Sequence, residues 1–325
     1  MVSLCKLSML DALDRKLLHQ LDRNSRRSNA AIARALRVGK NVVNYRIKRL
    51  IRRGIIRKFY AVIDRSKLGY FGVRVYIKFR HTTPENENEI IRAVALNKHT
   101  WFCAKADGHY SFGFSMWIRD INDFYDFWFD FDKKYRRYFA DVIVSLYYEV
   151  QDFGNSFLSS ENKANEPAII GGLGKKLVKI TKTDRQILAH LSKDARMPSL
   201  EMAKLIGVSP TTIKNRIDYL RNNGVILGFT TLLNRRALGL VHYKINLCLR
   251  DLSIYDKLVE LAKTHPQTIY VDRTVGYADF EVEVLVESYT MFREILEEYK
   301  KSFPDDILET NYVVYDEPNK IEYFA

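Results

Sequence analysis

The chain repeats itself, and the repeat limits what it can fold into. Shifted by 170 positions, residues 14–69 overlay residues 184–239 without a gap, and sixteen positions match. The matches include Asp14/Asp184, Arg15/Arg185, Leu18/Leu188, Arg26/Arg196, Arg46/Arg216, Ile47/Ile217, Leu50/Leu220, Gly54/Gly224, Phe59/Phe229 and Gly69/Gly239. Further on the offset falls to 168, pairing Gly108 with Gly276 and Tyr147 with Tyr315. A period this long means a duplicated domain-sized unit of roughly 150 residues rather than a solenoid of short repeats. The stretch between the copies, GNSFLSSENKANEPAIIGGLGKK, is rich in Gly, Ser and Asn and reads as a linker.

Charge follows the same period. The whole chain carries a net +13. Residues 1–80 hold +17, 81–160 hold −4, 161–174 hold −1, 175–250 hold +11 and 251–325 hold −10. Alternate segments that are strongly cationic point to a polyanionic partner for those segments. No stretch is apolar for long enough to span a bilayer, and the start MVSLCKLSML meets Asp11 too soon for a signal peptide. Cys5, Cys103 and Cys248 are odd in number and far apart, which fits a reducing compartment and offers no zinc spacing.

Each basic segment reads as three helices. Leu13, Leu17, Leu18 and Leu21 recur at helical spacing and predict a helix over 12–23. Ser28 caps a second helix carrying Ile32, Ala33 and Leu36. After a turn at Gly39, a third runs from Asn41 to Arg53, with Val43, Ile47 and Leu50 inward and Gly54 ending it. Copy two predicts helices over 182–193 and 198–206, a turn at Gly207, and a third from Pro210 to Asn223 capped by Ser209. Two short helices joined by a tight turn make a helix-turn-helix, whose second helix can enter the DNA major groove. The candidate DNA contacts are Lys40, Asn41, Asn44, Tyr45, Arg46, Lys48, Arg49 and Arg52 in copy one, and Thr211, Thr212, Lys214, Asn215 and Arg216 in copy two. Early Asn and Thr side chains suit base edges, while Arg and Lys suit phosphates. Asp218 and Asn222/Asn223 replace cations of copy one, so the copies are expected to contribute unequally.

An apolar run follows each third helix, IIRKFYAVID (55–64) and VILGFTTLLN (225–234), and reads as a strand leading to a Leu-Gly hinge. The acidic segments then read strand, helix, strand, strand, helix, strand. In copy one these fall at 73–80, 84–97, 100–107, 110–118, 121–137 and 140–150, with Asp107-Gly108 as the hairpin turn. In copy two they fall at 241–250, 253–264, 268–275, 278–286, 288–302 and 307–316, turning at Gly276-Tyr277. This βαββαβ order is ferredoxin-like. Helices cover one sheet face. Phe112, Phe114 and Met116, with Phe280, Val282 and Val284, suggest an apolar second face that pairs sheet to sheet, within or between chains.

A basic helix-turn-helix, a hinge strand and a βαββαβ module with a central Gly turn resemble the Lrp/AsnC (feast/famine) family of transcription regulators. The residues that carry the resemblance in copy one are LDRKLLHQLDRNSR (13–26), NYRIKRLIRRGIIRKF (44–59), KLG (67–69) and DGHYSFGF (107–114). In copy two they are TDRQILAHLSKDAR (183–196), GVSPTTIKNRIDYLRNNGVILGF (207–229), ALG (237–239) and VGYADFEVEV (275–284). The resemblance implies an α+β chain in which two winged-type helix-turn-helix domains (1–64 and 180–234) alternate with two ferredoxin-like, RAM-type domains (65–152 and 235–325), joined by the linker 153–179. It implies a cytoplasmic, nucleoid-associated regulator of double-stranded DNA, without a membrane, whose acidic modules form a homo-oligomer or an intrachain pseudo-dimer. It implies no cofactor, but a small effector such as an amino acid held near Gly108, His109, Tyr110, Gly276, Tyr277 and Asp279. The common pattern has one unit per chain; this chain has two, and copy one has Lys40-Asn41 where copy two has Pro210-Thr211 after its cap.

Sirohaem decarboxylases resemble the same two-part architecture and give the enzyme alternative, in which Lys105, His109 and Tyr110 would do acid–base and carboxylate-binding work. Copy two has Tyr277 where copy one has His109, and a decarboxylase has no use for the cationic heads. GGLGKK (171–176) lacks the leading Gly and the trailing Ser/Thr of a phosphate loop. The seven histidines show no ligand spacing, so no metal and no catalytic residue is assigned.

Overall fold

The computed structural model describes residues 10–159, 168–172, 176–322 and 324. Cys5, the N-terminal signal reading and the middle of the linker lie outside these residues. The first head consists of α1 (Ala12–Arg23), α2 (Asn29–Leu36) and α3 (Lys40–Arg52), followed by β1 (Ile56–Ile63). Asp11 caps α1 by accepting from the Asp14 amide at 2.7 Å, and Ser28 caps α2 through the Ala31 amide at 3.2 Å. The first body follows as β2 (Phe71–Phe79), α4 (Pro84–Leu96), β3 (Thr100–Gly108), β4 (Phe112–Ile118), α5 (Ile121–Tyr135) and β5 (Phe139–Asp152), then a short β6 (Ile169–Gly171). The second head is α6 (Lys182–Lys193), α7 (Ser199–Ile206), α8 (Pro210–Asn222) and β7 (Ile226–Leu233). The second body is β8 (Val241–Leu249), α9 (Tyr255–Thr264), β9 (Thr268–Val275), β10 (Phe280–Val286), α10 (Tyr289–Ser302) and β11 (Ile307–Tyr315), closed by β12 (Lys320–Ile321).

The helix periodicity buries what it should. Leu17, Leu18, Leu21, Val43 and Leu50 are buried in the first head, and Ile187, Leu188, Leu191, Ile213 and Leu220 in the second. Each such aliphatic side chain contributes about 1.5–3 kcal/mol on removal from water. The two heads share one apolar core. They are stitched by antiparallel pairing of β1 with β7, in which Phe59 faces Thr231 and Ala61 faces Phe229. Four of the cross-copy bonds form two symmetric pairs. The Ser25 amide donates to the Phe229 carbonyl at 2.8 Å, and the Ala195 amide to the Phe59 carbonyl at 2.9 Å. Arg26 Nη1 donates to the Ala195 carbonyl and Arg196 Nη1 to the Ser25 carbonyl, both at 2.5 Å.

The bodies join edge to edge. Each forms a four-stranded antiparallel sheet, β5-β2-β4-β3 and β11-β8-β10-β9. β5 then pairs with β9, and β11 pairs with β3, so the eight strands close on themselves. The two seams share one register: Leu146 opposite Val275, and Val314 opposite Asp107.

Two expectations change. Phe112, Phe114 and Met116 pack under α4 and α5, and Phe280, Val282 and Val284 pack under α9 and α10. They do not form an apolar face for a partner sheet. Residues on both faces of these strands are buried, so hydrophobic alternation is lost and the sequence does not show which parity faces inward. The faces turned into the barrel carry Arg74, Tyr76, Lys244, Asp272, Glu281 and Glu283 instead. The other change concerns the linker. Phe153 and Leu158 are buried, and β6 pairs with β5 through Val150–Gly171. The described ends of this stretch are therefore part of the fold. Among the described residues, no helix is long and apolar enough to cross a membrane.

Candidate nucleic-acid interface

α3 and α8 are the third helices of the two heads. Their inward residues fill the core, which leaves the opposite face to solvent. On α3 that exposed face holds Lys40, Asn41, Tyr45, Lys48 and Arg52; on α8 it holds Thr211, Lys214 and Asn215. Copy one therefore presents three exposed cations among its candidate contacts, Lys40, Lys48 and Arg52, and copy two presents Lys214.

The remaining candidates are engaged within the head. Arg46 Nη1 bonds Asp11 at 2.5 Å and Asp14 at 2.8 Å, and Arg49 Nη2 bonds Asp14. Asp14 is 1 % exposed, so α3 is pinned to α1 through a buried carboxylate. In copy two Arg216 holds Asp184 with two bonds, Nε to Oδ1 at 2.7 Å and Nη2 to Oδ2 at 2.6 Å. The hydrogen bond to Asp184 raises the Arg216 pKa. Burial works against the Asp184 charge, but Arg216 and Thr181 still hold its carboxyl below the ordinary aspartate value. Asn44 accepts from Asn29 of α2, and the Thr212 amide and hydroxyl bond the Ser209 hydroxyl at 3.0 and 2.9 Å. Sequence reasoning missed the role of Asp14 and Asp184. Their signal was present as matched repeat positions opposite the matched Arg46 and Arg216.

The two turns differ in backbone. Copy two ends α7 at Gly207 with φ +81, whereas copy one ends α2 at Arg37 with φ +55, a left-handed conformation that an L side chain resists. At the N-terminus of α3, Gly39 supplies no side-chain cap; Ser209 does so for α8.

The expected effector residues lie at the barrel seams. Gly108 and Gly276 have φ +109 and +106. A Cβ at Gly108 would stand 2.5 Å from the Tyr312 carbonyl oxygen, and one at Gly276 would stand 2.7 Å from that of Val144. Glycine is therefore required there by strand pairing. The His109 amide donates to the Tyr312 carbonyl at 3.1 Å, and its ring meets Tyr110 edge-on. Tyr110 is buried, stacks on Tyr76 at 5.2 Å and donates to Asp141 at 3.3 Å. Tyr277 donates to Asn311 at 2.7 Å, and Asp279 accepts from the Leu249 amide at 2.7 Å. Lys105, named for the enzyme alternative, pairs with Glu87 at 3.1 Å and is not joined to His109.

Between these seams the barrel interior holds ionic side chains beside a buried cluster that includes Tyr76, Tyr110 and Tyr315. Arg74 bonds Asp272 at 3.1 Å and also Glu281, and Lys244 bonds Asp272, Glu281 and Glu283 at 2.6, 2.9 and 2.9 Å. Burial and Arg74 press on the Lys244 ammonium, yet the three carboxylates hold its pKa well above the usual lysine value. Burial lowers the His242 pKa to about 4, with Arg235 adding to the effect. Arg235 donates to Nδ1 of that ring, so the neutral ring gives its Nε2 proton to Glu283 at 2.7 Å.

Comparisons with known proteins fit this geometry. Residues 180–221 match the AsnC-type helix-turn-helix domain, and residues 10–57 match a winged helix-turn-helix DNA-binding domain. The chain is 31% identical over 118 residues to the regulatory protein AsnC of Haemophilus influenzae, covering 36% of this chain and 79% of that protein. It is 31% identical over 122 residues to an uncharacterised HTH-type transcriptional regulator of Pyrococcus furiosus, covering 38% and 81%. Among solved structures, the sirohaem decarboxylase NirDL in co-complex with an iron-uroporphyrin III analogue has a similar fold. Its TM-score is 0.66 at 13% identity, over 97% of this chain and 95% of that one.

Proposed function

Because the chain belongs to the Lrp/AsnC family, we propose that it is a transcription regulator that binds double-stranded DNA sequence-specifically, as a pseudo-dimer built from the two copies of one polypeptide. The observation that carries this reading is the pairing of β1 with β7, which holds two third helices of cationic heads in a symmetric relation within one molecule. Two such helices, set by a two-fold axis, suit two half-sites about one DNA turn apart or a multiple of it.

In this reading Lys48 and Arg52 contact phosphates while Asn41 and Tyr45 reach base edges, with Lys40 at the helix start. Thr211, Lys214 and Asn215 do the same for the second half-site with less charge. Arg46, Arg49 and Arg216 brace their helices against Asp14 and Asp184, and Asn44 and Thr212 hold the turns. The two faces differ, so the preferred site has two unlike halves. A mobility-shift titration tests the function: duplex DNA binding that weakens steeply with salt supports it, and no binding at low salt contradicts it. An amino acid or similar effector belongs to this reading through the family, and a calorimetric titration with amino acids tests it.

The full-length fold likeness to NirDL supports a second reading, a tetrapyrrole decarboxylase. Anaerobic incubation with sirohaem decides it, since any decarboxylated product favours the enzyme.

A further inference from the structure

We propose that the barrel interior is a pairing code: the charged lining of copy two accepts the copy-one sheet as its partner and rejects a second copy-two sheet. This rests on the intrachain pseudo-dimer of the proposed function and adds what selects it.

The two sheets use matched positions in opposite ways. Ladder register places Arg74 beside Ser115 in copy one and Lys244 beside Glu283 in copy two. It likewise places Ala104 beside Gly113, and Asp272 beside Glu281. Copy one thus supplies one cation and small residues, and copy two supplies one cation and three carboxylates. Arg74 crosses to Asp272 and Glu281, and is itself 3 % exposed as a side chain. The small residues leave little room to spare. A Cβ at Gly113 would lie 2.9 Å from the Tyr76 ring.

Homotypic barrels would lose this balance. Two copy-one linings would bury two arginines with no carboxylate. Two copy-two linings would bury two lysines among six carboxylates. Uncompensated buried charge is strongly disfavoured, whereas the mixed lining leaves each buried cation beside a carboxylate. The paired bonds between the heads do not discriminate, because they are symmetric. Arg26 and Arg196 make the same bond, β1 and β7 pair about equivalent positions, and both seams use a glycine. The charges that differ between the copies lie in the interior, and selection is assigned to them. Its consequence is that each molecule presents one α3 and one α8, even where copies are exchanged between chains.

The test uses the intact protein with a protease site inserted between Asn162 and Lys163. After cleavage, the nicked complex is mixed with one whose N-terminal half is isotopically heavy. Urea is raised until heavy and light halves exchange, then removed, and native mass spectrometry reads the pairs. The expected result is exchange with every particle retaining one N-terminal and one C-terminal half, mixed pairs exceeding either homotypic pair by more than about tenfold. Homotypic pairs at binomial abundance overturn the proposal. Arg74→Glu is expected to reduce the mixed fraction at least about tenfold, and adding Glu281→Arg to restore it; a mixed fraction unchanged by Arg74→Glu also overturns it. DNA binding by the uncut protein is measured separately. Its absence beside intact mixed pairing would count against the regulator and leave the code standing.

Discussion

Tyr60 of β1 stands directly opposite Thr230 of β7, and these are equivalent positions of the two copies. The local two-fold axis of the heads passes between them. About this axis Ser25 and Ala195, and Arg26 and Arg196, make matching bonds from each head to the other.

The cross-copy arginines follow from that symmetry. Arg26 and Arg196 each give a charged hydrogen bond to a carbonyl of the other head. Arg26→Ala or Arg196→Ala is expected to cost about 1.5–3 kcal/mol each in urea unfolding. A loss confined to one of them would break the symmetry argument.

Exposed and braced cations separate by experiment. Lys48→Ala and Arg52→Ala are expected to leave stability unchanged and to lower the salt slope of DNA binding by about one each. Arg46→Ala is expected to lower stability by about 2 kcal/mol, since it strips a partner from buried Asp14. Equal effects on stability from Lys48 and Arg46 would contradict this division.

The left-handed Arg37 is a strained position. Arg37→Gly, which copies Gly207, is expected to raise stability by about 0.5–1 kcal/mol in thermal unfolding, provided the turn keeps its shape. In the other direction, Gly108→Ala or Gly276→Ala is expected to cost about 2 kcal/mol or more by forcing a seam apart.

A cleft between α1, β7 and the end of β5 gives a pH dependence. It is lined by Asp22, Asp152, Gly154, Asn155, Thr230 and Arg235. Burial, with the Asp22 charge adding, lifts the Asp152 pKa to about 7. The folded state then binds the proton more tightly than the unfolded chain, whose value is about 3.9. The contribution is full below pH about 4 and is lost as pH rises through 7. Asp152→Asn is expected to remove about 1–2 kcal/mol of that decline, read from urea midpoints between pH 4 and 8. An unchanged pH profile would contradict it.

Local order was legible in the sequence. The helix cores, the Ser28 and Ser209 caps and the βαββαβ order follow from periodicity and capping, which act over a few residues. What was not legible is non-local. Nothing in β5 or β3 signals that its edge partner is β9 or β11, and strands buried on both faces hide which parity faces inward. Arg46 and Arg49 read as free cations because Asp14 lies a helix and a turn away. The seam role of Gly108 and Gly276 was likewise hidden, because the carbonyls of Tyr312 and Val144 that crowd them lie in the other copy.

The most direct test of the account is a footprint of the purified protein on genomic DNA, combined with the stoichiometry of the complex. The expected result is protection by one molecule of a site with two unlike halves, spaced about one helical turn apart or a multiple of it. Protection of a palindrome by two molecules, each using a single head, or no protection at all, would contradict it.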